Sequence, residues 1–366
     1  MIRATNILYI YTETPLHAGT GSGLSNVDLP IQRERTTQYP MIQGSGIKGK
    51  LRAAAEDEQW RDIDVIFGSS RDIKGVAQNG QSSTQSQNGA GPQDNAGALI
   101  VGDARILLFP VRSLNGTFAY TTSYDVLQRF ARDLERSHIP IKEEEKWSVP
   151  SQPVEEPDAE MPTALVTSPS KLTIDVSPAS DTAQSSDGSQ PGDETIVLEE
   201  FSFKAQEDEN GQVNKIADWL ANHALPQYDT VTYWQEKLKS SLVILPNDEF
   251  RDFVLYATEV ITRIGIERQT KIVKEGALWT EEHLPTDTLL YVPIYATDSR
   301  KKGHPKTAVQ VLQRVSELKS SLQLGGDETV GRGFVSTRWG EIQPLQEVKA
   351  VSNGNATTTT GGEAAS

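Results

Sequence analysis

Residues Ala98–Val111 read ALIVGDARILLFPV: an apolar run, a Gly102-Asp103 interruption, and a second apolar run. This is a strand pair or one bent strand, with the glycine at the bend. On the N-terminal side, Ile7, Tyr9 and Tyr11 alternate with Leu8 and Ile10 along a first strand, each set on its own face. After Gly46 the run IKGKLRAAAEDEQ holds good helix formers and no breaker past Gly49. Val126, Leu127, Phe130 and Leu134 recur at helical spacing, as do Val311, Leu312, Val315 and Leu318. Val260, Thr262, Ile264 and Ile266 alternate as a strand, and Phe334–Ile342 closes the body as another. Strands and helices mix without regular βαβα alternation, and no internal repeat is present. The pattern predicts an α+β fold, an antiparallel sheet with helices on one face.

The chain has 366 residues, of which 36% are hydrophobic and 23% charged, so part of it is expected to stay outside a packed core. Three stretches read as unpacked: polar, glycine-rich Val76–Gly97, the Pro, Ser and acid-rich Ser148–Asp193, and the tail Ala350–Ser366. The absence of cysteine excludes disulfides, thiolate zinc sites and cysteine nucleophiles. No run of about 18 apolar residues and no signal-peptide pattern is present, which leads to the expectation of a cytoplasmic protein without a membrane partner. The net charge of −15 is uneven. Glu143–Glu209 carries 17 Asp/Glu against 3 Lys, a net of −14, and leaves the rest near −1. A body that close to neutral can still carry basic patches for nucleic acid.

Four segments carry candidate chemistry. Gly44-Ser45-Gly46-Ile47-Lys48-Gly49-Lys50-Leu51 fits G-x-G-x-x-G, and it fits a P-loop except that Leu51 replaces the Mg²⁺-binding hydroxyl. A dinucleotide site needs an acid after a second strand, whereas Asp62 and Asp64 precede the apolar run. What remains is a glycine-permitted turn into a helix, or a helix N-terminus with Lys48, Lys50 and Arg52 suited to backbone phosphate. Asp28 lies in a loop beside Arg33 and Arg35, after Gly19-Thr20-Gly21-Ser22-Gly23. It is an ordinary turn residue, or a carboxylate that binds a divalent metal or assists an attacking 2′-hydroxyl. Gly325–Gly333 holds four glycines and Arg332, as a tight hairpin or a phosphate-binding loop. Glu259–Pro285 sets Arg263, Arg268, Lys271 and Lys274 beside Trp279, as a solvated hairpin or a base-stacking one. The five histidines show no metal-ligand spacing, and no G-x-S-x-G occurs.

Taken in order, these motifs resemble one family. They are His17-Ala18-Gly19, Val27-Asp28, Pro30-Ile31-Gln32-Arg33-Glu34, Ile47-Lys48-Gly49 and Leu51-Arg52. Further along come Val101-Gly102-Asp103-Ala104, Phe109-Pro110-Val111-Arg112-Ser113, Gly276-Ala277-Leu278-Trp279, Glu281-Glu282, and Leu324-Gly325-Gly326 with Glu328-Thr329-Val330-Gly331. The set resembles the repeated backbone subunit of type III-B CRISPR (Cmr) effector complexes, in the RAMP superfamily. The resemblance implies an RRM-like (ferredoxin-like) antiparallel-sheet palm with a β-hairpin thumb and disordered insertions. It implies copies stacked into a helical filament on a CRISPR guide RNA, other Cmr subunits as partners, and cleavage of target single-stranded RNA at regular intervals. It also implies a divalent metal ion, Mg²⁺ or Mn²⁺.

On this resemblance residues 1–140 begin the palm, with catalytic loop 19–35 and insert 76–97. Residues 141–200 are an acidic, mostly disordered insertion, 201–258 a helical part and 259–287 the thumb. Residues 288–349 complete the palm with glycine-rich loop 325–333, and 350–366 is a tail. Asp28 is the catalytic and metal-binding candidate, followed by Glu281 and His17. RNA contacts fall on Arg33, Arg35, Lys48, Lys50, Arg52, Arg263, Arg268, Trp279, Gly325, Gly326 and Arg332. Gly46 and His283 depart from the family pattern, which has a small hydroxyl and an aromatic there. Two other classes stay open: a filament subunit that binds guide RNA without cutting, and an unrelated nucleotide-binding enzyme using 44–51.

Overall fold

The computed structural model describes residues 1–22, 27–69, 95–154, 161–175, 194–228 and 231–345. The expected unpacked segments at 76–94 and 350–366, and parts of the third at 155–160 and 176–193, lie outside these residues. In chain order the first elements are β1 (Ala4–Thr12), β2 (Met41–Ile42), α1 (Gly44–Asp57), α2 (Ile63–Phe67), β3 (Leu99–Val101), β4 (Ala104–Arg112), β5 (Phe118–Ser123) and α3 (Tyr124–Arg136). Then come β6 (Thr163–Val166), β7 (Ile174–Asp175), β8 (Glu194–Leu198), β9 (Phe201–Glu207), α4 (Gln212–His223), α5 (Val231–Ser241), β10 (Leu242–Leu245) and α6 (Asn247–Tyr256). The chain closes with β11 (Glu259–Ile266), β12 (Val273–His283), β13 (Leu289–Ala296), α7 (Ala308–Ser316), β14 (Ser321–Gln323), β15 (Phe334–Trp339) and β16 (Gln343–Pro344).

Among the described residues one large sheet runs β14-β15-β1-β13-β4-β5-β10-β6-β9-β8-β7, with β16, β2 and β3 attached to β1, β4 and β13. Only β5–β10 and β6–β9 pair in parallel, so the fold is α+β with a mostly antiparallel sheet. Every residue of β1 is buried, so both faces of the sheet are covered there, not one as the sequence suggested. Its Tyr9 ring meets Phe130 of α3 at 6.3 Å, and Phe130 also meets Tyr291 of β13 at 4.9 Å and Trp219 of α4 at 5.7 Å. These rings meet edge-on, the arrangement their quadrupoles favour. Helix α3 starts at Ser123, whose hydroxyl accepts the Val126 N–H, and α7 starts in a reciprocal Thr307/Gln310 cap.

Ala98–Val111 is a strand pair: β3 and β4 both run antiparallel to β13, and Gly102-Asp103 turns between them. The bend also seats α1. Asp103 Oδ1 accepts the Gly44 N–H at 2.8 Å. A Cβ on Gly44 would meet the carbonyl oxygens of Val101 and Gly102 at 2.5 Å, so only glycine fits. The first N–H of α1 therefore already faces a carboxylate, which removes much of the case for phosphate at that terminus.

Two expected segments differ from the structure. The stretch 148–193, within the proposed acidic insertion 141–200, contains a wholly buried strand, β6, seated between β10 and β9, with Leu172 buried nearby. Four apolar-lined residues vanish in a composition averaged over a long Pro- and acid-rich stretch. The helical part 201–258 also contains strands: β9 pairs with β8, and β10 pairs with β5 and β6.

Strands β11 and β12 form their own two-stranded sheet, paired from Glu259↔His283 to Ile264↔Leu278 and then shifting to Ile266↔Val273. Period-two alternation gives this hairpin two faces. One carries Val260, Thr262 and Ile264 with Leu278, Thr280 and Glu282; the other carries Ile261 and Arg263 with Trp279, Glu281 and His283. The apolar set is the exposed one, with Val260, Ile264 and Leu278 at 52%, 50% and 64%.

Candidate active site along the edge of the hairpin

The loop holding Asp28 docks on the free edge of β12. Leu29 donates its N–H to the Thr280 carbonyl and accepts the Glu282 N–H, both at 3.0 Å. Asp28 N–H donates to Thr280 Oγ1 at 3.0 Å, and Asp28 Oδ2 accepts the Thr280 N–H at 2.8 Å and its hydroxyl at 3.0 Å. The backbone N–H of Thr280, then its hydroxyl, holds the Asp28 carboxyl below the usual range, so this exposed group is ionised at neutral pH. Its Oδ1 has no partner among the described residues.

Glu282 fastens the loop from beneath. Its buried carboxylate accepts the Ile31 N–H at 3.0 Å and the Thr258 hydroxyl at 2.9 Å, and pairs with Arg33. Arg33 also donates to the carbonyls of Val254 at 2.8 Å and Gln38 at 2.9 Å. Arg33 is thus a structural cation, and its role as an expected RNA contact is not available in this arrangement. Further along the same edge, His17 Nδ1 lies 2.6 Å from the Glu282 carbonyl oxygen. A carbonyl only accepts, so Nδ1 carries a proton, which leaves Nε2 as the acceptor of the corresponding neutral tautomer. Asp28 and His17 are anchored two residues apart on β12, about 7 Å along the strand.

The opposite face of β12 holds a different group. Glu281 accepts Trp279 Nε1–H at 2.7 Å and Arg263 Nε–H at 2.8 Å. Burial pushes its carboxyl up, but the Trp279 and Arg263 hydrogen bonds and the Arg263 charge outweigh that and hold it low. His283 is fully buried, its ring 5.4 Å from that of His17. Burial holds its imidazole below the ordinary value; His17 and Arg332 act in the same direction, against Glu281 and Asp327. Asp327 reaches this group from loop 325–333. That loop is closed by Leu324 N–H to Gly333 O at 2.8 Å, Gly326 N–H to His17 O at 2.9 Å and Gly333 N–H to Pro15 O at 2.9 Å. Gly325, at φ +80°, lies against the His17 carbonyl where no Cβ fits.

Residues 9–336 match the model of the RAMP superfamily. The "CRISPR system Cmr endoribonuclease Cmr4" of Pyrococcus furiosus is 33% identical over 336 residues, 91% of this chain and 95% of that one. The chain belongs to the Cmr4 family. A "CRISPR system CMR subunit Cmr4" of Saccharolobus solfataricus is 23% identical over 90% of this chain and 95% of that one. The crystal structure of oligomeric Cmr4 from Pyrococcus furiosus superimposes with a TM-score of 0.61 at 28% identity, covering 92% of this chain and 98% of that chain. A chain of the type III-B Cmr-beta complex bound to cognate target RNA shares the fold, with a TM-score of 0.59 at 19% identity over 92% of this chain and 96% of that one.

In this Cmr4-family chain the other expected RNA contacts are spread along several elements. On α1, Lys48 donates to the Leu99 carbonyl at 3.0 Å, Lys50 pairs with Glu328, and Arg52 pairs with Glu56 at 2.8 Å and donates to the Gly68 carbonyl at 2.7 Å. Arg35 and Arg268 are exposed, with no ion-pair partner among the described residues. Arg263 and Trp279 are engaged by Glu281, and Arg332 is partly exposed at the end of the glycine-rich loop. The glycines 325 and 326 serve packing against His17. Three residues essential to the geometry were missed from sequence: Thr280, Glu282 and Asp327. Only strand alternation around Glu281 could have separated the roles of Glu281 and Glu282. No helix among the described residues is long and apolar enough to cross a membrane.

Proposed function

We propose that this chain is the repeated backbone subunit of a type III-B CRISPR effector complex. It stacks with copies of itself and with other Cmr subunits along a guide RNA, and it cleaves complementary target RNA at regular intervals. The Cmr endoribonuclease name of its 33%-identical relative and the oligomeric state of its 28%-identical structural neighbour support this reading. In it the large sheet is the RRM-like palm, and β11–β12 is the thumb.

The observation that carries the chemistry is the placement of Asp28. Its ionised, exposed carboxylate is bolted to Thr280 on the hairpin face that also exposes Val260, Ile264 and Leu278. Stacked A-form RNA holds each 2′-hydroxyl off the line of attack on its neighbouring phosphate, so cutting requires local unstacking. An apolar wedge supplies that at a cost of a few kcal/mol per step, as wedge side chains do elsewhere. Because its pKa is lowered, Asp28 is a poor proton acceptor; its carboxylate orients the attacking hydroxyl by accepting its hydrogen bond. His17, with Nε2 left as acceptor, takes the 2′-hydroxyl proton as the 2′-oxygen bonds to phosphorus; the P–O5′ bond breaks, and the departing 5′-oxygen takes a proton from water. Asp28 Oδ1 would hold a hard divalent cation, which would supply charge stabilisation for the developing oxyanion.

In a reconstituted complex, Asp28→Ala is expected to reduce target cleavage by more than about 100-fold through lost orientation of the nucleophile, and His17→Gln by about 100-fold or more, a typical yield for a positioned acid–base group. Guide-RNA content and target binding are expected to stay unchanged. Wild-type cleavage by the Asp28→Ala complex would leave only an RNA-binding filament subunit.

A further inference from the structure

We propose that Glu281, His283 and Asp327 form a protein-held site for a divalent transition metal, with Zn²⁺ or Mn²⁺ as the fitting ions. The site lies on the face of β12 opposite Thr280. It goes beyond the cleavage reading and does not depend on it.

The primary observation is His283. Its ring is fully buried, and neither Nδ1 nor Nε2 has a hydrogen-bond partner among the described residues. Buried polar atoms in folded proteins are almost always bonded, so two orphaned nitrogens on one ring point to a missing partner. The nearest acceptors are both carboxylates: Nε2 stands 3.7 Å from Asp327 Oδ2 and 3.9 Å from Glu281 Oε2. Those separations are too long for hydrogen bonds and suit groups sharing one ion. One ligand atom from each residue lies within 4.8 Å of the others. Around a tetrahedral zinc at its usual bond lengths, neighbouring ligands stand ~3.4 Å apart, so the 3.7 and 3.9 Å separations need to shrink by only about half an ångström.

The chain invests in bringing these groups together. Asp327 adopts a left-handed conformation at φ 60°, in a loop whose neck is tied to Pro15 and His17. Without a metal, Arg263 supplies the positive charge, through Nε on Glu281 and Nη2 at 3.9 Å from Asp327. That solution is incomplete, because Nη2 is itself buried without a hydrogen bond and the guanidinium gives His283 nothing. A dication would satisfy His283 Nε2, the nitrogen that faces both carboxylates, and take over from Arg263 as counter-ion, leaving further positions for water. One imidazole with two carboxylates selects an ion that accepts both nitrogen and oxygen, in preference to Mg²⁺. Bound there, it would join the hairpin to the glycine-rich loop.

The test uses the full chain, freed of metal by chelator and without RNA, so its outcome is separate from that of any cleavage assay. Isothermal titration with Zn²⁺ is expected to show one saturable equivalent, and Co²⁺ is expected to give visible absorption with the same stoichiometry. Affinity should fall at least tenfold in His283→Phe and in Asp327→Asn and persist in Asp28→Asn. Asp327 is partly exposed on its loop, so its variant keeps the test open if His283→Phe does not fold. Lack of a saturable equivalent in the wild type, unchanged affinity in Asp327→Asn, or loss of the site in Asp28→Asn would each overturn the proposal.

Discussion

Gly44 and Gly46 stand two residues apart in one glycine motif, and their surroundings differ completely. A Cβ at Gly44 collides with backbone at 2.5 Å, whereas one at Gly46 meets nothing within 4 Å. Gly44→Ala should therefore cost about 2–3 kcal/mol, as overpacking against rigid backbone does. Gly46→Ala should gain about 0.5–1 kcal/mol by removing a helix glycine. Urea unfolding of both variants checks the pair, and opposite signs are the expected result. Asp287 offers a pH test. Burial pushes its carboxyl above the ordinary range; Glu13 adds to that, against the Tyr11 hydrogen bond and Lys237. A folded pKa above the unfolded one favours folding below the unfolded value, about 3.9, and that advantage is lost as pH rises through the folded value. Asn tolerates the φ of 69° at this position and can still accept from Tyr11. The stability of Asp287→Asn relative to wild type should accordingly grow as pH rises across that window. Unfolding curves on either side of it give the answer, and a shrinking difference would refute the assignment.

At the scale of elements, helices were legible wherever apolar residues recurred at helical spacing, as in α3 and α7. At Ala98–Val111 the glycine between two apolar runs narrowed the reading to a strand pair or one bent strand, and the fold selects the pair. Alternation in β11 identified a strand but not its buried side, because Val260 and Ile264 face outward and Arg263 inward. Strand β6 was lost to averaging. It lies between β10 and β9 with Leu165 buried, so Leu165→Ala should cost about 2–4 kcal/mol in urea unfolding, the range for buried leucines. A change within about 0.5 kcal/mol, normal for exposed positions, would return this segment to linker status.

Across the whole molecule, the site is assembled from pieces that sequence proximity cannot join. Arg33 meets Glu282 across 249 positions, and Asp28 meets Thr280 across 252. A family pattern marks position 28 in the sequence, whereas its seat on Thr280 appears only in the fold. The division of labour between Glu281 and Glu282 was not, since it follows from which side of β12 each residue faces. Net charge was legible as a total and as a distribution, but half of the basic side chains expected on RNA, Arg33, Lys50, Arg52 and Arg263, form ion pairs within the fold. Under the proposed function, exposed cations such as Arg35 and Arg268 are the ones open to a guide-RNA backbone.

Under the proposed function, each copy of this subunit cuts target RNA once, through its own Asp28. Complexes assembled from wild-type and Asp28→Ala chains mixed in graded ratios test this directly on an end-labelled, fully matched target. Every cleavage band should keep its position and lose intensity in proportion to the mutant fraction, reaching background at full substitution. Bands that hold their intensity at full substitution would place the chemistry on another residue.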